Sequence, residues 1–129
     1  MSITSFAQNQ QPAAKSQYLL IIRFKSNFVP PNDTAVAVNI KHWQAYMGRL
    51  AQSGSIAGGY RPSGDGQTIS GTNKQAQSGP YVANGELVSS ILIINADSMA
   101  DVKVIADKCP VFEFGGSVEI RPMMNTSGK

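Results

Sequence analysis

An arginine stands inside the most apolar strand-like run of this chain. Gln17 to Lys25 reads QYLLIIRFK, and strand alternation puts Arg23 beside Leu19 and Ile21, opposite Leu20, Ile22 and Phe24. A guanidinium on an apolar face needs a partner. That partner is an anionic ligand held in a cavity, unless the side chain simply reaches outward to water. Further along, Glu119 and Arg121 alternate with Val118 and Ile120 in SVEIRPM. That pattern suits an outward polar face with an ion pair, or a cavity wall. Glu86 opens the apolar run ELVSSILIINA, where a carboxylate can hold backbone or a ligand. His42, the single histidine, titrates near neutrality without help and is a candidate general base; Lys41 and Arg49 mark its side of the helix as solvated, which favours a surface role. Trp43 falls on the apolar stripe of that helix, as core or pocket wall. Cys109 precedes Pro110 with Lys108 the one nearby cation, an arrangement for packing rather than thiolate chemistry.

Composition restricts what these groups can serve. With one Cys and one His there is no internal disulfide, and no metal or cofactor is expected. The 11 Lys and Arg against 8 Asp and Glu give a net charge of +3. They are scattered singly, and nucleic-acid binding needs a clustered footprint, so no nucleic-acid partner is expected. No run reaches the roughly 18 apolar residues of a membrane span. MSITSFAQNQQPAAKSQ lacks the apolar core of a secretory signal, so the expectation is a cytoplasmic protein with no membrane partner. The 129 residues make one domain, and 42% hydrophobic content is enough for a core.

The elements that must position these groups follow from periodicity. Residues 1–16 are polar and aperiodic and read as a disordered tail; 17–124 form the domain, and 125–129 a second tail. After the Gln17–Lys25 strand, the prolines of SNFVPPND force a loop. Asp33 or Thr34 then caps a helix reaching about Ser53, with Val36, Ile40, Trp43, Met47 and Leu50 on its buried face and Gly54 at its end. SIAGGY and TISG read as short strands and Glu86–Ala96 as the longest. SMAD has the capping spacing for a second helix with Met99, Val102 and Ile105 buried. SVEIRPM is the last strand. Strand, helix, short strands, long strand, helix, strand is the order of a ferredoxin-like βαββαβ fold, an α+β arrangement with an antiparallel sheet and both helices on one face.

That architecture leaves an apolar face bare. In the long strand Val88, Leu92 and Ile94 are expected on one side and Leu87, Ile91 and Ile93 on the other. Two helices cover one side, and an apolar sheet face in water far exceeds what monomers expose. A homodimer joined through the sheet faces is therefore expected.

The stretch SGPYVANGE, Ser78 to Glu86, resembles the signature of the YCII-related family, and more closely its branch named for DGPFAETKE. It keeps Gly79, Pro80 and Glu86, has Tyr81 for the phenylalanine, and has Ser78 and Gly85 where the motif has Asp and Lys. WQAYMGRLAQSGSIAGG and DKCPVFEFGGSVEIRPM resemble the family's first helix and its ending, so the likeness covers roughly Tyr18 to Met123. It implies a dimeric α/β-barrel. Some relatives are hydrolytic or dechlorinating enzymes with a His in the first helix and an Asp about a dozen residues later. Those positions hold Trp43 and fall near Ser55 here, and His42 is one residue out of register, so that acid–base pair is not carried over. The candidate ligand contacts are Arg23, Trp43, Ser78, Tyr81 and Glu86, with no catalytic residue assigned. The segment is expected to be a rigid lip closing one end of the barrel, Tyr81 inward and Glu86 anchoring it. Two readings stand: a cavity binding a small metabolite, anionic if Arg23 lines it, with or without catalysis; or a non-catalytic dimeric interaction or regulatory module in which the motif is structural. A missing or wholly apolar cavity would favour the second.

Overall fold

A computed structural model describes residues 16–124; the expected tails 1–16 and 125–129 lie outside them except for Ser16, which belongs to the first strand. The first strand, β1 (Ser16–Lys25), is followed by α1 (Asp33–Gln52) and β2 (Ile56–Tyr60). A short pair, β3 (Gln67–Ser70) and β4 (Gln75–Ser78), precedes β5 (Glu86–Ala96), α2 (Met99–Asp107), a 3₁₀ turn over Pro110–Phe114, and β6 (Ser117–Pro122). The main sheet has the order β2-β5-β1-β6, every pair antiparallel. This is the ferredoxin-like α+β arrangement.

The helices sit on the face formed by Tyr18, Leu20 and Ile22 of β1 and Leu92, Ile94 and Ala96 of β5, all buried. Leu20, Ile22, Ile94 and Val102 are completely enclosed. Each such aliphatic side chain contributes about 1.5–3 kcal/mol relative to exposure, which ties α2 to the sheet through Val102. Leu19, Ile21 and Arg23 point to the opposite face, as alternation requires.

One expectation about β5 is corrected. The register pairs Ile22 with Ser90 but Arg23 with Val88, so Ser89 is an inserted, bulged residue. Beyond the bulge the alternation inverts. Val88 shares Arg23's face, not that of Leu92 and Ile94, and Leu87 pairs with Phe24, which packs against the core.

The helix faces also rotate from their expected positions. Asn32, not Asp33 or Thr34, caps α1, its side chain accepting from the Ala35 N–H at 2.7 Å. The buried residues of α1 are Asn39, Tyr46 and Leu50, while Ile40 is 51% exposed. Two polar side chains win places on the inner face because both find partners there. Tyr46 donates to the Ile105 carbonyl at 2.8 Å, and Asn39 donates to the Pro110 carbonyl at 3.1 Å. In α2, Ser98 accepts from the Asp101 N–H as its spacing predicts. Val102 and Ala106 are buried, and Met99 lies outside the stripe at 43% exposure.

Gly116, between the 3₁₀ turn and β6, marks a close approach of backbones. A Cβ there would meet the Arg23 carbonyl and the Val111 side chain, so the connection passes β1 only with hydrogen at that position.

Candidate functional site

Between α1 and the sheet lies a cavity of about 600 Å³, well inside the range of small-molecule sites. From α1 it is lined by Asn39, Ile40, Trp43, Gln44 and Met47. From the sheet side come Gly59, Tyr60 and Arg61 at the end of β2, and Ser89, Ser90 and Leu92 of β5. Its origin is topological. Strand β2 pairs with β5 only from Ile91 to Ile94, then stops at Tyr60, while β5 runs on to Glu86. The bulge adds to this opening. A regular strand turns successive side chains to opposite faces, yet both Ser89 and Ser90 border the cavity. Gly59 keeps the wall thin, since a Cβ there would press on Leu92.

Trp43 and Met47 supply apolar wall, and the Trp43 ring meets Tyr46 edge-to-face at 5.9 Å. Arg61 is the one ionised side chain of the lining, and among the described residues it forms no ion pair. Asn39 is only 9% exposed. Its amide nitrogen is committed twice, to the Pro110 carbonyl and at 3.0 Å to Glu113 Oε1. The other oxygen of Glu113 accepts from His42 Nδ1 at 2.7 Å. A carboxylate only accepts, so the proton of this contact sits on Nδ1. Asn39 and His42 together hold the Glu113 carboxyl below its ordinary value, the Asn39 hydrogen bond being the larger cause. Glu113, Asn39 and Arg61 were not singled out in the sequence. The helical spacing of Asn39 to Trp43, Tyr46 and Leu50 was available as a signal; Glu113 in a 3₁₀ turn and Arg61 in a polar loop gave none.

The sequence-derived candidates do not converge on this cavity. Trp43 does line it. Arg23 is on the far face of the sheet, where its Nη1 donates to Glu119 Oε1 at 2.7 Å, and Arg121 donates to Glu119 Oε2 at 3.2 Å. These two guanidinium groups, Arg23 first, hold the Glu119 carboxyl below its usual range. The ion pair expected on β6 is present, with Arg23 as a third member. Glu86 reaches across that same face to accept from the Ser117 hydroxyl at 2.8 Å. Ser78 ends β4, exposed and paired with Gln67.

Tyr81 is corrected: its ring is 68% exposed in this chain rather than inward. The reason lies in the turn beside it. Ala83 and Glu86 exchange both backbone hydrogen bonds at 3.0 Å around Asn84 and Gly85, whose φ values are +55° and +72°. This is the Asn-Gly hairpin turn of type I′, so the rigid part of the segment is ANGE, and Tyr81 belongs to the exposed arm leading into it. Cys109 is buried, and burial raises its thiol to about 11, as packing predicts.

A family model, the YCII-related domain, matches residues 16–127. The chain belongs to the YCII-related domain family. Among solved structures it is similar to 5-chloro-2-hydroxyhydroquinone dehydrochlorinase from Burkholderia phenoliruptrix AC1100, in complex with 2,5-dihydroxybenzoquinone. That similarity has 19% identity over 83% of this chain and 94% of the other, with a TM-score of 0.41. It is also similar to the de novo designed protein Ferredog-Diesel, at 15% identity over 90% and 93% of the two chains, TM-score 0.41. No curated protein matches. No helix among the described residues is long and apolar enough to cross a membrane.

Proposed function

We propose that this YCII-related protein is a homodimer, each subunit of which binds a small anionic metabolite in the cavity between α1 and the sheet. The observation that carries the reading is the lining itself: apolar walls from Trp43, Met47 and Leu92, hydroxyls from Ser89 and Ser90, and the Arg61 guanidinium. A wholly apolar cavity would have favoured the interaction-module alternative. Small-molecule sites combine an apolar body with a few placed polar groups, as this one does. Among the described residues no carboxylate, imidazole or thiol lines the cavity, which favours binding over proton-transfer chemistry driven by the protein.

Dimerisation is supported by Leu19, Ile21, Val88, Ile91 and Ile93, which share the sheet face away from the helices. The exposed arm with Tyr81 and Ser78, and the Glu86–Ser117 bond on that face, belong to this dimer-facing side of the reading. Gly79, Pro80 and Glu86 support a place in the DGPF-type branch, and one buried thiol suits a cytoplasmic location.

Trp43, the only tryptophan, is a built-in reporter. Titration with a metabolite panel should quench or shift its emission for at least one small organic anion, with saturation confirmed by calorimetry. Purified protein that carries no small molecule in native mass spectrometry and gives no Trp43 response across the panel would remove the reading.

A further inference from the structure

We infer that the ligand is a hydroxylated aromatic carboxylate, its charge at Arg61 and a hydroxyl donated to Asn39 Oδ1. The inference rests on the cavity reading above and deepens it. The decisive atom is Asn39 Oδ1. Asn39 is 9% exposed and borders the cavity. Its amide orientation is fixed, because both the Pro110 carbonyl and Glu113 Oε1 require a donor and only Nδ2 can supply two. That leaves Oδ1 with no donor among the described residues. A buried acceptor without a partner is costly, and a cavity beside it is where a ligand O–H can satisfy it.

A second polar group of the lining asks for the opposite charge. Arg61 is its one ionised group, and guanidinium recognises carboxylate by paired, charge-assisted hydrogen bonds. The apolar wall is Trp43, Met47 and Leu92, a surface suited to a flat ring. The Ser89 hydroxyl donates to the Ile22 carbonyl at 3.3 Å and can accept from a ligand, while Ser90 can donate or accept, so the two tolerate further oxygen substituents without demanding them. Glu113 is a positioning residue: it does not line the cavity but accepts from Asn39 Nδ2 and so fixes which amide atom is left for a ligand.

The test compares three probes on the full chain by calorimetry and Trp43 emission: 4-hydroxybenzoate, benzoate, which lacks the donor, and 4-hydroxybenzamide, which lacks the charge. 4-Hydroxybenzoate should bind about tenfold more tightly than either of the others, the value of one charge-assisted or buried hydrogen bond. Arg61→Gln should remove the preference for acid over amide, weakening 4-hydroxybenzoate about tenfold and 4-hydroxybenzamide by less. Asn39→Leu should erase the preference for 4-hydroxybenzoate over benzoate; should that variant fail to fold, the wild-type comparison of the two acids decides the same point. Equal binding of all three probes, or an acid preference that survives Arg61→Gln, overturns this inference and leaves the cavity reading standing. No binding of any probe also overturns it, and the metabolite panel then decides the cavity reading separately.

Discussion

At the scale of single residues, the Asn39–Glu113–His42 chain separates two kinds of importance. Asn39 is enclosed and doubly bonded, whereas the His42 side chain is 52% exposed. An ion pair that open to water is worth about 0–1 kcal/mol. His42→Ala should therefore lower the melting temperature only slightly and change ligand affinity less than twofold; a hundredfold loss would mean the imidazole acts on the ligand directly. The carboxylates give a pH dependence of definite sign. Glu113 and Glu119 have folded-state values lowered from 4.5, so their contribution is complete above that value and is lost as the pH falls through the lowered ones. The melting temperature should be level above about pH 5 and decline on acidification, less steeply in Glu113→Gln than in the wild type. A melting temperature that rises in acid would contradict the assignment. Tyr81→Ala, at a ring this exposed, should shift the stability of a single subunit by no more than about 0.5 kcal/mol.

At the scale of elements, Gly116→Ala should be strongly damaging for so small a change. The new methyl meets a backbone carbonyl of β1, which cannot move aside without disturbing Ile22 and Phe24. A loss of about 3 kcal/mol is expected in denaturant unfolding, and a loss below about 0.5 kcal/mol would show that the 3₁₀ turn repacks freely. The elements also show what the amino-acid pattern reveals. β1 and β5 are legible as near-continuous apolar runs, β6 as an alternation of apolar and charged residues, and both helices by apolar residues at a period near 3.6. The β3–β4 pair is legible only in part: TISG reads as a short strand, whereas QAQS, exposed on every side chain, has no burial pattern to mark it. The bulge at Ser89 is invisible because one inserted residue changes facing without changing composition. Asn84-Gly85 carried a hairpin signal that the neighbouring Gly79-Pro80 obscured. Of the site, Trp43 was legible, while Asn39 was hidden by the rule that polar residues face water, and Arg61 by a loop without periodicity.

For the whole molecule, the two faces of the sheet divide the work. The helix side holds the cavity; the other side holds an apolar field over β1 and β5, edged by the Arg23–Glu119–Arg121 cluster along β6. Sedimentation at micromolar concentration should give a dimer, and Ile91→Lys should shift it toward monomer while Arg61→Gln does not. A wild-type monomer would sever the link between sheet faces and assembly. The β3–β4 hairpin stands apart from the main sheet, since among the described residues its strands pair with each other and with no strand of that sheet. Its tip, Gly71 to Lys74, is exposed on every residue. Lengthening a loop costs little, about 0.6 kcal/mol per doubling. This arm is therefore where the chain can gain or lose length without disturbing its core, and an epitope or fluorophore inserted between Thr72 and Asn73 should ride on the folded protein as a passenger.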